Sequence, residues 1–155
     1  IPPDSIDPTI KNYHWLDLVS GMLNSYDRGH DTAILIDEKN NVSEGPGFNI
    51  FSVDKTGLNT PDHGVLEGIT RQTVINLAKE LDLSINMKPI SIEKLKSSDE
   101  LFATSTAGGI MPITKINGKP VGPGVPGKIT RELHKTYWDK HSDPNWSLLV
   151  EDILK

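Results

Sequence analysis

A segment rich in glycine and proline, residues 43–51, separates two short apolar runs and constrains the fold more than any other part of the chain. Its sequence is Ser-Glu-Gly-Pro-Gly-Phe-Asn-Ile-Phe. Apolar runs bounded by turn residues are typical of strands, so the pattern predicts strands over residues 32–37 and 47–53. Glu44 then lies between two strands with no basic neighbour in the sequence. It is either a surface carboxylate in a turn or the partner of a cation from elsewhere, for which a cationic ligand is one candidate.

Length, charge and cysteine content limit the class of protein. The chain has 155 residues, a net charge of -5 and no cysteine. This length suffices for one domain with a hydrophobic core. The negative charge gives no reason to expect nucleic acid or an anionic membrane as partner, and no apolar run approaches the ~18 residues of a membrane helix. Thiolate metal sites and disulfides need cysteine, and the histidines show no metal-ligand spacing, so we expect no metal. These properties fit a cytoplasmic protein.

The first ten residues are rich in proline and separate from the rest in composition. Proline-rich stretches commonly link domains. We therefore expect residues 1–10 to be the remnant of an interdomain linker and residues 11–155 to form one domain. Because the chain begins with Ile1 rather than methionine, we also expect it to be a domain cut or processed from something longer.

Two helices are predicted beside residues that carry chemistry. Apolar residues recur at three- and four-residue spacing after Lys11, which indicates a helix that ends before Gly29. Lys11 lies just before this helix and is either solvated or placed for a ligand. A second helix begins near Ile69 after two glycines. Its first turn, with the Thr70 hydroxyl, is either a phosphate cradle or a helix start capped by its own side chain.

The rest of the chain alternates between strands and helices. The pattern predicts strands over residues 83–90, 99–104 and 110–116, and a short helix capped by Ser91. Small residues after the strand at 99–104 allow close approach of a ligand and can form an anion-binding nest. Asn117-Gly118 is a hairpin signal. A last helix covers residues 128–140, and Trp146 with residues 148–153 is expected to dock the C-terminal segment on the core.

Four of these features together match the needs of one cofactor. They are a lysine before a helix, a carboxylate in a strand–loop segment, a glycine-led helix start with Thr70, and a small-residue turn with Thr106. Pyridoxal 5'-phosphate (PLP) has an aldehyde that needs a lysine amine and a pyridine nitrogen that needs a carboxylate. Its phosphate needs backbone N–H groups and hydroxyls. The set therefore predicts a PLP site.

The sequence resembles the class IV (fold type IV) PLP-dependent aminotransferases, which include the branched-chain, D-amino-acid and (R)-selective amine aminotransferases. The resemblance covers nearly the whole chain and rests on four motifs: Asp7-Pro8-Thr9-Ile10-Lys11-Asn12, Ser43-Glu44-Gly45-Pro46-Gly47-Phe48-Asn49, Gly64-Val65-Leu66-Glu67-Gly68-Ile69-Thr70-Arg71 and Thr104-Ser105-Thr106-Ala107-Gly108-Gly109-Ile110-Met111-Pro112. Two of them look most like the amine-transaminase-like branch. The resemblance implies an α+β fold: a mixed, barrel-like sheet with flanking helices, as in the large cofactor-binding domain of the D-amino-acid-aminotransferase-like fold.

The resemblance also implies a role for each matching residue. Lys11 is implied to form the Schiff base with the cofactor and to shuttle the proton, and Glu44 to pair with the pyridinium nitrogen. Leu66 is implied to pack against the ring. The phosphate is implied to meet Gly68, Ile69, Thr70 and Thr106, and the Thr106-Ala107 turn to face the substrate.

The implied function is transamination between an amino acid or primary amine and a keto acid or ketone, in a homodimer or larger assembly. An aminodeoxychorismate-lyase-like enzyme and a PLP-binding fragment without turnover are the alternatives. Two departures stand out. Nothing here corresponds to the small N-terminal domain of the family, and Leu16 stands where branched-chain enzymes often have tyrosine. We therefore expect an isolated cofactor-binding domain.

Overall fold

A mixed five-stranded sheet forms the centre of the protein. The computed structural model describes residues 7–13, 15–148 and 150. The strands are β1 (Asn49–Asp54), β2 (Gly57–Thr60), β3 (Ile85–Met87), β4 (Glu100–Ser105) and β5 (Gly109–Pro112), in the order β3-β2-β1-β4-β5. The β2–β3 pair is parallel and the other three pairs are antiparallel. A separate hairpin joins β6 (Lys115–Ile116) to β7 (Lys119–Pro120).

The helices named for the described residues accompany the sheet. They are α1 (Leu16–Asp27), α2 (Ile69–Glu80), α3 (Ile92–Lys96) and α4 (Lys128–Asp139), and a 3-10 helix, Lys140–Ser142, follows α4. The Ser91 hydroxyl accepts a hydrogen bond from the Lys94 N–H and caps α3, as its position predicts. No helix in the part of the chain that the structure describes is long and apolar enough to cross a membrane.

Both faces of the sheet are buried, because residues on β1 and β4 alternate between two hydrophobic cores. Phe51 and Phe102 are register partners whose rings stack with centroids 5.1 Å apart. They belong to the core that α2 and α4 cover. Their neighbours Ile50 and Leu101 point to the other face and pack with a second core that includes Leu95 of α3. Consecutive apolar residues, Ile50-Phe51 on β1 and Leu101-Phe102 on β4, follow from burial on both faces.

Most predicted elements are confirmed, and the exceptions have local causes. Residues 32–37 do not form a strand of the sheet. Their β-pairing consists of one isolated bridge, between Ile36 and Val42. The strand predicted over 83–90 shortens to β3. The strand predicted over 110–116 divides into β5 and β6. The hairpin at Asn117-Gly118 is confirmed, and both residues have the positive φ angles, 49° and 75°, that this turn needs.

One further expectation differs from the structure. The α+β class with a mixed sheet and flanking helices is confirmed, but the order of the described strands leaves β3 and β5 as edges, so the sheet is open rather than closed into a barrel. The apolar side of α1 buries no residue. After α4, Lys140 Nζ lies over the Trp146 ring, 4.7 Å from the ring centroid. Residues 149 and 151–153, predicted to dock on the core, lie outside the described residues.

Candidate functional site

A cavity of about 550 Å³ brings together most of the predicted site residues. Its wall is built from the segment before α1, the loop that precedes β1, the start of α2 and the end of β4. The predicted residues that line it are Lys11, Glu44, Leu66, Gly68, Thr70 and Thr106. Ile69 and Ala107 are not among its lining residues. Ile69 is 80% exposed, so its side chain points away from the cavity wall, and the role of its backbone N–H stays a prediction.

A tight turn places Glu44 at the wall of this cavity. The Gly45 N–H donates to the Phe48 carbonyl at 2.9 Å, and the Phe48 N–H donates to the Gly45 carbonyl at 3.2 Å. Pro46 and Gly47 are the central residues, and Gly47 has a φ of 84°, as a type II turn requires. A Cβ on Gly45 would lie 2.0 Å from the Phe48 ring. The turn therefore needs both glycines and folds back directly after Glu44.

The Glu44 carboxylate is held through one of its two oxygens. Oε2 accepts hydrogen bonds from the Leu66 N–H at 3.1 Å and from Asn49 Nδ2 at 3.2 Å. Among the described residues, Oε1 accepts none. Burial raises the pKa of Glu44 above its ordinary value, while the Leu66 N–H lowers it. A cationic N–H group at Oε1 would offset this cost of burial, so the surroundings of Glu44 favour a cationic ligand.

Two further hydrogen bonds join the Glu44 loop to the loop before α2. The Ser43 hydroxyl donates to the Gly64 carbonyl at 2.9 Å. Asn49 Nδ2 donates to the Leu66 carbonyl at 2.8 Å. Together with the contacts to Glu44, they connect the carboxylate and Leu66 as one unit.

The starts of α2 and α4 differ in what meets their N–H groups. At α4, the Glu100 carboxylate accepts from the Ile129 and Thr130 N–H groups at 3.1 and 2.7 Å. At α2, the N-cap residue Gly68 has no side chain, and within the described ranges no other side chain accepts a hydrogen bond from the first N–H groups of the helix. The first turn of α2 borders the cavity instead. A helix N-terminus attracts anions, so an anionic group in the cavity can take the place that Glu100 takes at α4.

The end of β4 adds hydroxyl groups to the same wall. The Ser105 hydroxyl accepts from the Gly108 N–H at 3.0 Å and closes the turn to β5. Thr106 and Ala107 lie exposed in that turn. Thr104 lines the cavity and is buried, and its hydroxyl has no hydrogen-bond partner among the described residues. Because buried hydroxyls are normally paired, this atom marks a point where a ligand can bind.

Lys11 reaches the cavity from the other side. It is exposed, and it forms no ion pair with a carboxylate in the described ranges. The Trp15 indole N–H donates to the Asn12 carbonyl at 2.8 Å and ties this segment to the start of α1. Lys39 also lines the cavity. The site therefore contains a second amine with which the reactivity of Lys11 can be compared.

Comparison with known proteins assigns the chain to a family. The sequence profile of class IV amino-transferases matches residues 1–116. The chain belongs to the class IV aminotransferase family. A curated relative from Methanocaldococcus jannaschii, a putative branched-chain-amino-acid aminotransferase, is 36% identical over 154 residues, which are 98% of this chain and 53% of the relative. The chain thus spans about half the length of this relative.

Solved class IV structures share the fold. A branched-chain amino acid aminotransferase from Thermobaculum terrenum in its PLP form is 33% identical, with a TM-score of 0.88 over 94% of this chain and 50% of that chain. A T.th. branched-chain amino acid aminotransferase complexed with N-(5'-phosphopyridoxyl)-L-glutamate is 29% identical, with a TM-score of 0.86 over 90% of this chain and 48% of that chain. Both are branched-chain enzymes, while the motif likeness to the amine branch stays a prediction.

Two polar residues that line this class IV aminotransferase site, and one buried arginine of α2, were not predicted from the sequence. Asn49 and Thr104 are register partners on β1 and β4. They lie two residues from Phe51 and Phe102 and therefore on the same face of the sheet. A polar residue at an inward position of a strand is the signal that could have identified them. Arg71 is buried, and its Nη2 donates to the Pro61 carbonyl at 2.8 Å. Burial lowers the pKa of Arg71. Its partners are protein atoms, so it is a structural residue.

Proposed function

We propose that this chain is the PLP-binding part of an aminotransferase that moves an amino group between an amino acid or primary amine and a keto acid or ketone. The observation that carries the proposal is that one cavity holds Lys11, Glu44 and the start of α2, and that in the described part of the chain neither Glu44 Oε1 nor any of the first N–H groups of α2 has a side-chain partner. When bound, PLP supplies a carrier for the amino group and an acceptor for the electrons released at the substrate carbon.

The residues present fit the three reactive parts of PLP. A primary amine suits the aldehyde, a buried carboxylate suits a protonated ring nitrogen, and a helix N-terminus suits a phosphate. The unpaired Thr104 hydroxyl adds a donor that the described part of the protein leaves unused. The fit is further supported by two relatives of the same fold, described in complex with a phosphopyridoxyl compound or in a PLP form.

Each residue then has a defined task. With PLP bound, Lys11 Nζ would hold the aldehyde carbon and would also move the substrate proton. Glu44 Oε1 would hold the proton on the ring nitrogen, and Leu66 would pack on the ring. Gly68, Ile69, Thr70 and Thr106 would hold the phosphate, and the Thr106-Ala107 turn would face the substrate. Residues 11–155 act as the cofactor-binding domain and residues 1–10 as the linker.

Branched-chain amino acids and their keto acids are the first substrates to test, because the relatives cited above are named for them. Leu16, at a position where a tyrosine was expected in branched-chain enzymes, makes a primary amine the second donor to test. We place the protein in the cytoplasm, as a homodimer or a larger assembly.

Reduction of the cofactor complex tests the proposal. The chain is incubated with PLP, reduced with borohydride and mapped by peptide mass spectrometry. We expect the stable adduct on Lys11, its loss in Lys11→Ala and its retention in the matched variant Lys39→Ala. An adduct distributed equally between both lysines, or none, contradicts the proposal.

A second measurement separates turnover from binding alone. Addition of an amine donor to the PLP complex should convert its absorption spectrum to that of pyridoxamine phosphate, and a keto acid should reverse the change. An adduct on Lys11 without this response favours a PLP-binding protein without turnover, an alternative consistent with the half-length coverage of the relatives. Release of pyruvate from aminodeoxychorismate would instead identify the lyase-like reaction.

A further inference from the structure

We propose that Asn49 is a positioning residue for Glu44: its side-chain amide fixes Oε2 of the carboxylate and leaves Oε1 for the ligand. The inference rests on the proposed function, in which Glu44 holds the proton of a ring nitrogen. It gives a role in the site to a residue for which the sequence motifs implied none.

The contacts of Asn49 use both hydrogens of its amide nitrogen. Nδ2 donates to Glu44 Oε2 at 3.2 Å and to the Leu66 carbonyl at 2.8 Å. The Leu66 N–H donates to the same carboxylate oxygen at 3.1 Å. Asn49 and Leu66 thus close a small ring of hydrogen bonds around Oε2. Both donors act on one oxygen, so the orientation of the carboxylate is set before a ligand binds.

The scaffold around Asn49 is well ordered by packing. Asn49 is the first residue of β1, pairs with Thr104 on β4 and is only 5% exposed. A Cβ on Gly68 would lie 2.3 Å from Asn49 Oδ1. The amide therefore occupies space that only glycine leaves free at the N-cap of α2. This contact links the position of the carboxylate to the start of the predicted phosphate-binding helix.

A purely structural role for Asn49 makes a different prediction. In that role Asn49 stabilises the fold through its hydrogen bond to the Leu66 carbonyl, and its contribution does not depend on the charge of Glu44. In the positioning role the Asn49 amide senses the carboxylate, and the loss of its N–H makes the ionised form of Glu44 less favourable. The pKa of Glu44 is therefore the quantity that separates the two roles.

The first experiment needs no variant. NMR titration of the 155-residue chain should show that the Asn49 side-chain amide protons shift with the same midpoint as the Glu44 carboxyl carbon. Asn86 is the matched control, because its Nδ2 donates to the Thr56 carbonyl and to Asn59 Oδ1 rather than to a carboxylate. An Asn49 amide that does not follow Glu44 overturns the proposal.

Two substitutions then test the effect on the ligand. Asn49→Asp keeps the shape but removes the donor and adds a like charge, so it should raise the pKa of Glu44 and weaken PLP binding about tenfold to a hundredfold, the range for one hydrogen bond to a charged group. Asn49→Ala should raise that pKa less. Asn86→Asp should leave both quantities unchanged. Equal PLP affinity and an unchanged Glu44 titration in Asn49→Asp contradict the proposal.

The link to Gly68 gives an independent check. Gly68→Ala should weaken PLP binding in the wild-type background and much less in the Asn49→Ala background, where the clashing oxygen is absent. Equal losses in both backgrounds speak against the link. If the wild-type chain binds no PLP, the proposed function fails, while the Asn49 and Glu44 titrations still decide the positioning role.

Discussion

The two walls of the cavity are held to the fold in different ways. The Glu44 wall consists of residues 43–49 and 64–68, which continue into β1 and α2. Four hydrogen bonds that involve side chains lie within and between these two segments. The Lys11 wall, residues 8–18 without the undescribed residue 14, leads into α1. The helices α1 and α2 have 12 residues each, but α2 buries six of them and α1 buries none.

This difference shows how one site combines two kinds of support. Buried apolar area supplies most of the free energy that holds an element in place. The Glu44 wall therefore has its geometry set by the core, while the Lys11 wall rests on few apolar contacts. In the proposed function, the mobile proton carrier Lys11 would have the second kind of support, and Glu44, which would hold one proton in place, would have the first.

The largest expected effect lies in the core behind the Glu44 wall. Phe102→Ala should lower the free energy of unfolding by about 3–5 kcal/mol, because it leaves a cavity beside Phe51. Leu23→Ala, on the exposed face of α1 where Leu23 is 55% exposed, should change it by less than about 0.5 kcal/mol. Urea unfolding measures both. Similar losses in the two variants would remove the distinction between the walls.

Arg71 gives the next test, with Arg28 as its matched control. Arg71→Met removes the donor to the Pro61 carbonyl and should cost about 1–3 kcal/mol of unfolding free energy. Arg28 follows α1 and is exposed, so Arg28→Met should have little effect. Thermal unfolding of both variants checks the difference, and a cost for Arg28→Met as large as that for Arg71→Met would contradict it.

Two glycines are expected to respond with opposite sign. Gly68→Ala places a Cβ 2.3 Å from Asn49 Oδ1 and should destabilise the protein by about 1–3 kcal/mol. Gly21 lies inside α1, where the nearest atom to a Cβ would be the end of the Leu35 side chain at 3.1 Å. Gly21→Ala should stabilise the protein by up to about 1 kcal/mol, because alanine favours the helix. Chemical denaturation would contradict this if both variants were destabilised equally.

The smallest effect is a pH dependence carried by Glu44. Burial raises its pKa above the ordinary value of 4.5, so the folded state binds more protons than the unfolded state between the two values. Stability therefore falls as pH rises from about 4.5 through the folded pKa. Relative to Glu44→Gln, the wild type should lose stability across this window and then level off. Leu23→Ala removes no titrating group, so its difference from wild type should be flat, and a flat Glu44→Gln difference would refute the burial effect.

Much of the site could be predicted from local sequence, for physical reasons that particular residues show. Gly45, Pro46 and Gly47 specify a turn almost by themselves, because few other residues adopt its backbone angles. Ser91 and Asn117-Gly118 act in the same way at α3 and at the last hairpin. Glu44 and Lys11 were identified by resemblance to a family, and the cavity that contains both is consistent with that interpretation.

Long-range contacts account for the expectations that were wrong. Residues 32–37 have the composition of a strand, but Leu35 pairs with Ser43 and Glu44 rather than with the sheet. The apolar spacing of α1 predicts the helix correctly, yet α1 buries none of its residues. Whether an apolar face is buried depends on which element packs against it, and spacing within one helix carries no information about that.

The sequence by itself determined the turns, the helix starts, the class of the fold and the residue types of the site, because these depend on neighbours a few positions apart. Only the tertiary structure decided that Leu66 would meet both Asn49 and Glu44, that Thr104 would be left without a partner among the described residues, and that Glu100 would cap α4 while no described side chain caps α2. Each of these outcomes depends on segments that are distant in the chain or on neighbouring strands. The free energy that stabilises these contacts comes from burial and hydrogen bonding between the segments. The segments come together only once the sheet has formed.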